Sequence, residues 1–306
     1  MFLACVFIVT LLLPCQNTCA QETKELIKIK TFKELRAIID ASPAITGLMV
    51  TDLTSGESMG INEQEVFTQA SAIKVAILME VYKQASLKRF SLTDQRVINP
   101  ATAVGGSGIL KDFADPVSLS IRNLCLLMMS QSDNTATNAM IDLVSPASIN
   151  ATLQSLGFKY TKLHRKMITP AASGRGEENI STPAEAARML QILYKGEFIN
   201  KAISAEILAI IEKNPRRESR LAIGIPVNVP VLFKEGALAG VSTEWAIINL
   251  KERPYILTVM ENYKVEGKST DVLEKISALI YQYFWRLGNA TRYGTYVDPA
   301  LIRPAP

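Results

Sequence analysis

Hydrophobic and polar positions change their spacing twice along the chain. Residues 32–41 have helical periodicity, and residues 45–50 and 57–61 form two strand-like runs separated by a Thr-Ser-Gly turn. Apolar positions then recur at helical spacing in five segments that Gly- and Pro-containing loops separate: 70–85, 121–129, 136–143, 148–156 and 183–194. Strand-like runs return beyond Pro215, and an amphipathic helix closes the pattern: 227–233, 245–250, 255–261 and the helix 270–287.

This order of segments predicts an α+β fold. Strands on both sides of a helical block favour one antiparallel sheet covered by its terminal helices. We expect an α/β sandwich lobe from residues 21–66 plus 215–291 and an all-α lobe from residues 67–214, joined in one catalytic unit with a cleft between them. Residues 292–306 show no periodicity and are predicted to form a loosely ordered tail.

The first twenty residues are typical of a signal peptide. They contain no charged side chain, include the apolar run 2–14 and end in Thr-Cys-Ala, a plausible cleavage site. A buried N-terminal helix is the alternative. No apolar stretch of ~18 residues follows, so no membrane span is predicted after this leader. We therefore expect an exported protein, either periplasmic or secreted.

Composition narrows the possible functions. The 306 residues are 48% hydrophobic and 20% charged, and the net charge of +4 comes without a basic run interleaved with aromatic residues, so no nucleic-acid partner is indicated. Three of the four cysteines lie in the leader, and Cys125, in an apolar stretch, is expected to be a core thiol. His164 is the only histidine, and these cysteine spacings form no zinc site. We expect no metal, no cofactor and a monomer.

The first candidate site is an S-x-x-K unit, Ser71 to Lys74, at the start of the first long helix of the α-rich block. One helical turn separates the two side chains on the same face, so the amine can reach the hydroxyl. An amine kept neutral by burial or by neighbouring cations can take the serine proton, and the helix N-terminus favours developing negative charge. An exposed Ser and Lys with no chemical role is the alternative.

The second candidate unit is Ser132-Asp133-Asn134, which follows an apolar helix. Ser132 could relay a proton, and Asn134 could donate a hydrogen bond to an amide carbonyl of a substrate. Helix capping is the alternative, because Ser, Asp and Asn all favour that position.

The third candidate unit is Lys234-Glu235-Gly236, predicted at the end of the strand 229–233. An edge strand there can present a cation and a side chain, and glycine permits a close approach of its backbone to a ligand. An exposed lysine at a boundary between strand and turn is the alternative.

Together and in this order, the three units resemble the S-x-x-K, S-D-N and K-T-G signature of class A β-lactamases and penicillin-binding proteins. The resemblance covers residues 32–289 and implies a β-lactamase/transpeptidase-like fold. It implies that Ser71 is the nucleophile, Lys74 its proton acceptor, Ser132 the proton shuttle to the leaving nitrogen and Lys234 the anchor for a substrate anion. The backbone N–H groups of Ser71 and Ala237 would form the oxyanion hole. Further matching features are the stretch 105–110, Asn138, Arg165 and the helix start at Thr182-Pro183.

The sequence departs from the family pattern in the Ω-loop, where the family's R-x-E-x-x-L-N run carries the glutamate that activates the deacylating water. Met167 stands where that glutamate is expected, and Ala171 stands in place of the asparagine. Glu177 and Glu178 come later and are expected to be solvated charges, while Asn179 replaces the aspartate that commonly closes the loop.

Glu235 is the second departure, because it replaces a threonine or serine that binds the β-lactam carboxylate, and a glutamate would repel that anion. A role for Glu235 as proton acceptor in deacylation is a further hypothesis.

The sequence thus predicts a serine hydrolase that forms an acyl-enzyme on Ser71 with an amide or ester, either a β-lactam or a cell-wall-like peptide. Its partner would be a small-molecule or peptide substrate. The alternatives are an efficient β-lactamase, a penicillin-binding sensor module that does not turn over, and a relative with an inactive site.

Overall fold

The computed structural model describes residues 16–251, 253–263 and 271–290, with side chains from residue 24 onward. Most of the predicted signal peptide and all of the predicted tail lie outside the described residues. Residues 16–20 are helical and belong to the first helix.

In the part of the chain that the structure describes, nine strands form three antiparallel sheets. In chain order they are β1 (Ile45–Asp52), β2 (Ser58–Ile61), β3 (Phe67–Thr68), β4 (Gln95–Ile98), β5 (Val117–Ser120), β6 (Ile180–Ser181), β7 (Val231–Leu238), β8 (Val241–Ile248) and β9 (Tyr255–Asn262). The main sheet has the order β2-β1-β9-β8-β7, and the pairs β3-β6 and β4-β5 are separate. Because β9 lies in the middle of the main sheet and is buried on both faces, its sequence is an almost continuous apolar run. β7 is an edge strand.

Nine α-helices accompany the strands within the described residues. They are α1 (Gln16–Asp40), α2 (Lys74–Ser86), α3 (Ile121–Ser130), α4 (Asn134–Val144), α5 (Pro146–Ser155), α6 (Pro170–Gly174), α7 (Pro183–Tyr194), α8 (Lys201–Ile211) and α9 (Val272–Asn289). Among the described helices, none combines the length and apolar character that a membrane span requires.

Two hydrophobic clusters hold these layers together. On one face of the main sheet, α1 and α9 pack through residues such as Leu35 and Ile280 against Phe233 and Leu257. The opposite face contributes Trp245 and neighbouring side chains to a second cluster that fills the helical block. This arrangement confirms the predicted α+β class and the antiparallel sheet covered by terminal helices. The lobe boundaries near residues 67 and 215 remain a prediction.

Several element predictions need correction. The helix Lys201–Ile211 was not predicted. The strand predicted to end at residue 233 continues to Leu238, which places Lys234-Glu235-Gly236 inside β7 rather than at its end. The predicted helix 70–85 begins as the 3₁₀ turn Ala70–Ile73 and continues as α2.

Candidate active site

Ser71 lies on the 3₁₀ turn Ala70–Ile73, which the edge strand β7 supports directly. A Cβ atom on Gly236 would lie 2.4 Å from the carbonyl oxygen of Gln69 and 2.9 Å from the backbone nitrogen of Ser71. Only glycine permits this approach without displacing backbone. The close approach predicted for Gly236 therefore exists, but its partner is the turn that carries the serine.

Buried polar contacts with the main sheet fix this turn. The side chain of Gln69 is fully buried, and its Oε1 accepts hydrogen bonds from the indole of Trp245 at 3.0 Å and from the hydroxyl of Thr243 at 3.3 Å. The backbone nitrogen of Gln69 donates to the carbonyl of Asn179 at 2.8 Å. Ser71 is thus held at the meeting point of the sheet, the loop before β6 and α2.

Lys74 is completely buried and contacts the second motif. Its Nζ donates to the Ser132 carbonyl at 2.7 Å, to the Ser132 hydroxyl at 3.1 Å and to Asn134 Oδ1 at 3.0 Å. Burial, and secondly the positive charge of Lys234, hold the pKa of Lys74 well below its usual range, against the opposing charges of Glu235 and Asp133. The three donated hydrogen bonds belong to the ammonium form, and the lowered pKa favours loss of one proton, which leaves an amine with a lone pair that can accept a proton.

The Ser132-Asp133-Asn134 unit caps a helix, as its alternative interpretation predicted, and it also contacts Lys74. Asp133 caps α4, because its Oδ1 accepts from the Ala136 nitrogen at 2.8 Å. Its Oδ2 accepts from the nitrogens of Ile109 and Leu110 at 2.8 and 2.9 Å, which ties the 105–110 loop to the site. Ser132 has a left-handed backbone, with φ of 49°, that turns it toward Lys74.

Asn134 links the same loop to the lysine. Its Nδ2 donates to the Gly105 carbonyl at 3.0 Å, and its Oδ1 accepts from Lys74. An amide nitrogen carries two protons, so one remains for the predicted contact with a substrate carbonyl.

Lys234 is not the exposed strand-end lysine considered as an alternative. It is 1% exposed, and its Nζ donates to Glu235 Oε1 at 2.5 Å and to the Glu235 carbonyl at 3.1 Å. The other carboxylate oxygen, Oε2, accepts from Asn214 Nδ2 at 2.7 Å. Burial lowers the pKa of Lys234, and the charge of Glu235 opposes this shift.

A second glutamate lies directly opposite Glu235 on β8. Glu244 is 1% exposed and accepts hydrogen bonds from the Ser219 hydroxyl, from the Arg220 nitrogen at 3.0 Å and from the Leu221 nitrogen at 3.3 Å. Burial raises the pKa of Glu244 to about 7, and the neighbouring charge of Glu235 adds to that shift.

A cavity of about 470 Å³ opens beside Ser71. Its lining includes Ala237 and Leu238 of β7, Asn134, residues of the 105–110 loop and residues of the segment 165–179. None of the described lining residues is acidic. Met167 and Ile168 contribute apolar surface to the wall where the family's glutamate is expected.

Met167 is anchored through its backbone, because its nitrogen donates to Asn138 Oδ1 at 2.8 Å and its carbonyl accepts from Asn138 Nδ2 at 3.1 Å. Ile168 is 45% exposed and has a φ of 53°, a left-handed conformation that is rare for a β-branched residue. Asn138 thus fixes the backbone at Met167, the position where the family pattern has its glutamate.

The 165–179 loop is closed by a pair that the sequence did not suggest. Glu178 Oε2 accepts from Arg165 Nη2 at 2.6 Å and from Nε at 3.1 Å, and the two side chains are 17% and 8% exposed. The expectation of a solvated Glu178 is therefore wrong. Glu177 is exposed and pairs with Arg175. Asn179 also closes the loop, because its Oδ1 accepts from the nitrogens of His164 and Arg165.

Cys125 is fully buried, which confirms the predicted core thiol, and burial raises its pKa to about 12. Among the described residues, no group of three His, Cys, Asp or Glu side chains could hold a metal ion.

Sequence reasoning missed four residues of this site. Glu244 left a signal, a charged residue at the edge of an apolar strand, whereas Gln69, Asn214 and Ile168 left none. Their roles depend on strand register and loop conformation.

Comparisons with known proteins identify the family and the fold. The model of a family described as "Beta-lactamase enzyme family" matches residues 30–284. A solved β-lactamase from Sphaerobacter thermophilus is 27% identical, with 83% of this chain and 96% of that chain covered and a TM-score of 0.73. The solved structure of PBP-A is 21% identical, with 88% and 96% covered and a TM-score of 0.73, a likeness that concerns the fold.

Among curated proteins, β-lactamase L2 of Stenotrophomonas maltophilia is 26% identical over 182 residues, which are 58% of this chain and 59% of that protein. The β-lactamase of Phocaeicola vulgatus is 24% identical over 258 residues, which are 81% of this chain and 77% of that protein. The chain thus matches less than two thirds of the length of L2.

Proposed function

The chain belongs to the β-lactamase enzyme family, a family of serine hydrolases, and we propose on that premise that Ser71 attacks an amide or ester substrate and becomes acylated. The observation that carries the proposal is the buried Lys74 amine. It lies one turn after Ser71, contacts the Ser132 hydroxyl at 3.1 Å and has a pKa well below the usual range because of burial. A buried amine with a depressed pKa that contacts one hydroxyl and lies one helical turn from another suits proton transfer.

In the proposed acylation step, the neutral amine of Lys74 takes the proton of Ser71, and the serine oxygen bonds to the substrate carbonyl carbon. The carbonyl oxygen becomes an oxyanion, which the N–H groups of Ser71 and Ala237 stabilise. When the bond to the leaving group breaks, the Ser132 hydroxyl donates its proton to that group and regains one from the Lys74 ammonium.

In the proposed deacylation step, water attacks the ester carbonyl, the carboxylic acid departs and Ser71 recovers its proton. The wall on the 165–179 side carries Met167 and Ile168 where the family pattern has its glutamate. Loss of one general base costs ~10²–10⁴ in rate. We therefore expect the acyl-enzyme to accumulate, which favours a slowly turning-over hydrolase over an efficient β-lactamase.

The proposed substrates are β-lactams or peptides that resemble those of the cell wall. The proposed enzyme is exported and monomeric. Two curated relatives carry the name β-lactamase, which supports the β-lactam class. Glu235 favours substrates other than ordinary β-lactams, because it covers the lysine that the resemblance assigns to their carboxylate.

Time-resolved intact-mass measurement tests this function. The purified protein is exposed separately to a neutral acyl-glycyl thioester and to benzylpenicillin, and the adduct is followed in the wild type and in Ser71→Ala. We expect one acyl group per chain, absent from the variant, that forms faster than it decays. No adduct with either compound, or an equal adduct on Ser71→Ala, would contradict the proposal.

A further inference from the structure

On the edge strand β7, the carboxylate of Glu235 lies over the buried ammonium of Lys234. Successive side chains of a strand point to opposite faces, and Lys234 shares its face with Gly236, which contacts the Ser71 turn. Glu235 points to the other face, yet its Oε1 lies 2.5 Å from Lys234 Nζ, so the two side chains meet around the edge of the sheet. Lys234 is 0% exposed at its side chain, whereas Glu235 is 27% exposed.

The carboxylate is fixed in this place. Asn214 Nδ2 donates to Glu235 Oε2 at 2.7 Å and also to the Phe233 carbonyl at 3.3 Å, so the amide joins Glu235 to its own strand. An approaching group therefore meets the outer surface of Glu235 before it can reach the ammonium of Lys234.

Glu244 adds a second carboxyl group on the same face. It lies directly opposite Glu235 in the β7-β8 pairing, a position where side chains are about 5 Å apart at Cβ. The three groups Lys234, Glu235 and Glu244 combine one basic and two acidic side chains. The end of the site that the family resemblance assigns to a substrate anion is therefore neutral to negative.

We propose that this end of the site ranks acyl donors by the charge of their leaving group. Donors with a cationic leaving group acylate Ser71 fastest, those with a neutral one more slowly and those with an anionic one slowest. The inference rests on the proposed function, because the Lys234 end lies beside the leaving group only if Ser132 protonates that group. The charges of Lys234 and Glu235 both act on the pKa of Lys74, so this end and the Lys74–Ser132 contact belong to one electrostatic site.

Three thioesters with one acyl group test the preference. Their leaving thiols are mercaptoacetate, mercaptoacetamide and thiocholine, which carry negative, zero and positive charge. Because all three form the same acyl-enzyme, deacylation is identical, and the first-turnover burst of thiol release reports acylation even if turnover is slow. Unit charges ~7 Å apart near a protein surface change such rates about tenfold or more.

The three thiols differ in acidity, so each second-order rate is divided by the rate at which the same ester reacts with hydroxide. We expect this normalised rate to rise from mercaptoacetate to mercaptoacetamide to thiocholine, with about tenfold or more between the extremes. Glu235→Gln keeps the shape and removes the charge, so the ratio between the extremes should shrink severalfold. Glu34→Gln removes the same charge from an exposed position on α1, which packs on the face of the sheet opposite the Ser71 turn, and should keep the ranking.

Equal normalised rates for the three esters in the wild type, a faster normalised rate for the mercaptoacetate ester, or an unchanged ratio in Glu235→Gln would overturn the inference and leave acylation of Ser71 intact. If none of the esters releases thiol in a manner that depends on Ser71, the proposed function fails, and the inference fails with it.

Discussion

At the residue scale, the chemistry of this protein depends on how burial changes one amine. Lys74 has no exposed surface, and its three described hydrogen bonds go to Ser132 and Asn134. Removing an ammonium from water favours its neutral form, and the charge of Lys234 acts in the same direction. A lysine that ordinarily carries a proton at neutral pH thereby becomes suited to accept one.

The acylation rate should depend on pH in a way that reports this amine. Since only neutral Lys74 can take the Ser71 proton, the rate rises as pH increases through the lowered pKa of Lys74, with a midpoint well below the 10.5 of an ordinary lysine. The charge of Glu235 raises the pKa of Lys74, so Glu235→Gln should move the midpoint to still lower pH. Burst kinetics with the mercaptoacetamide thioester measure both profiles. A midpoint near 10.5, or a shift upward in the variant, would contradict this account.

At the scale of the elements, two supports bring the serine to the cavity: the edge strand β7 below its turn and the 165–179 loop across from it. Gly236 allows β7 to approach the turn, and the Arg165–Glu178 pair closes the loop. Each support can be tested without touching the nucleophile or the base.

Gly236→Ala should separate the strand from the turn. The added methyl group would lie 2.4 Å from the Gln69 carbonyl oxygen, so backbone must move. Such overpacking typically costs ~1–3 kcal/mol of unfolding free energy. We expect denaturant melts to show this loss together with slower acylation. Gly174→Ala, where no atom lies within 4 Å of the new methyl, serves as the control and should change stability little. Unchanged stability and acylation in Gly236→Ala would argue against this packing.

Met167→Glu tests the loop as the cause of slow deacylation. Asn138 holds the backbone of Met167 at both its nitrogen and its carbonyl, so a carboxylate there starts from a fixed position on the cavity wall. A well-placed base contributes ~10²–10⁴ in rate, and we expect at least about tenfold faster decay of the Ser71 adduct by mass spectrometry. Met167→Gln, polar but uncharged, should retain the long lifetime. Equal adduct lifetimes in both variants would place the deacylation defect elsewhere.

The elements that could be predicted from the sequence are those with local signals. The helix Pro183–Tyr194 was predicted with both bounds correct, and its start has clear local signals, because Thr182 caps it and proline occupies its first position. The helix Lys201–Ile211 was missed because its apolar run obscures the periodicity. The predicted end of β7 came too early, because charged residues such as Lys234 and Glu235 are typical of turns. The pairing with β8 shows that they belong to the strand.

At the scale of the whole molecule, the site lies where distant parts of the chain meet. Lys74 joins residues 58 and 60 positions away, and Gln69 joins the turn of Ser71 to Trp245, 176 positions away. The three motifs could therefore be found in the sequence. The pairing of Glu244 opposite Glu235 and the ion pair of Glu178 with Arg165 could not, because both depend on how the chain folds.

Glu244 should make the stability of the whole fold depend on pH. Burial raises its pKa from 4.5 to about 7, so the folded protein binds more protons than the unfolded chain between these values. The free energy of unfolding should therefore fall as pH rises from about 4.5 to above 7, by up to about 3 kcal/mol from this group. Denaturant melts of the wild type and of Glu244→Gln across this interval check it. The variant should lack this component, and identical pH profiles would contradict the assignment.

The central claim is that Ser71, Lys74 and Ser132 form one acylating site, and peptide mapping of the protein after reaction with the mercaptoacetamide thioester tests it most directly. We predict a single acyl group, located on Ser71, that forms in the wild type and is slowed by about 10²–10⁴ in Lys74→Gln. An acyl group on any other residue, or equal labelling in Lys74→Gln, would contradict the account.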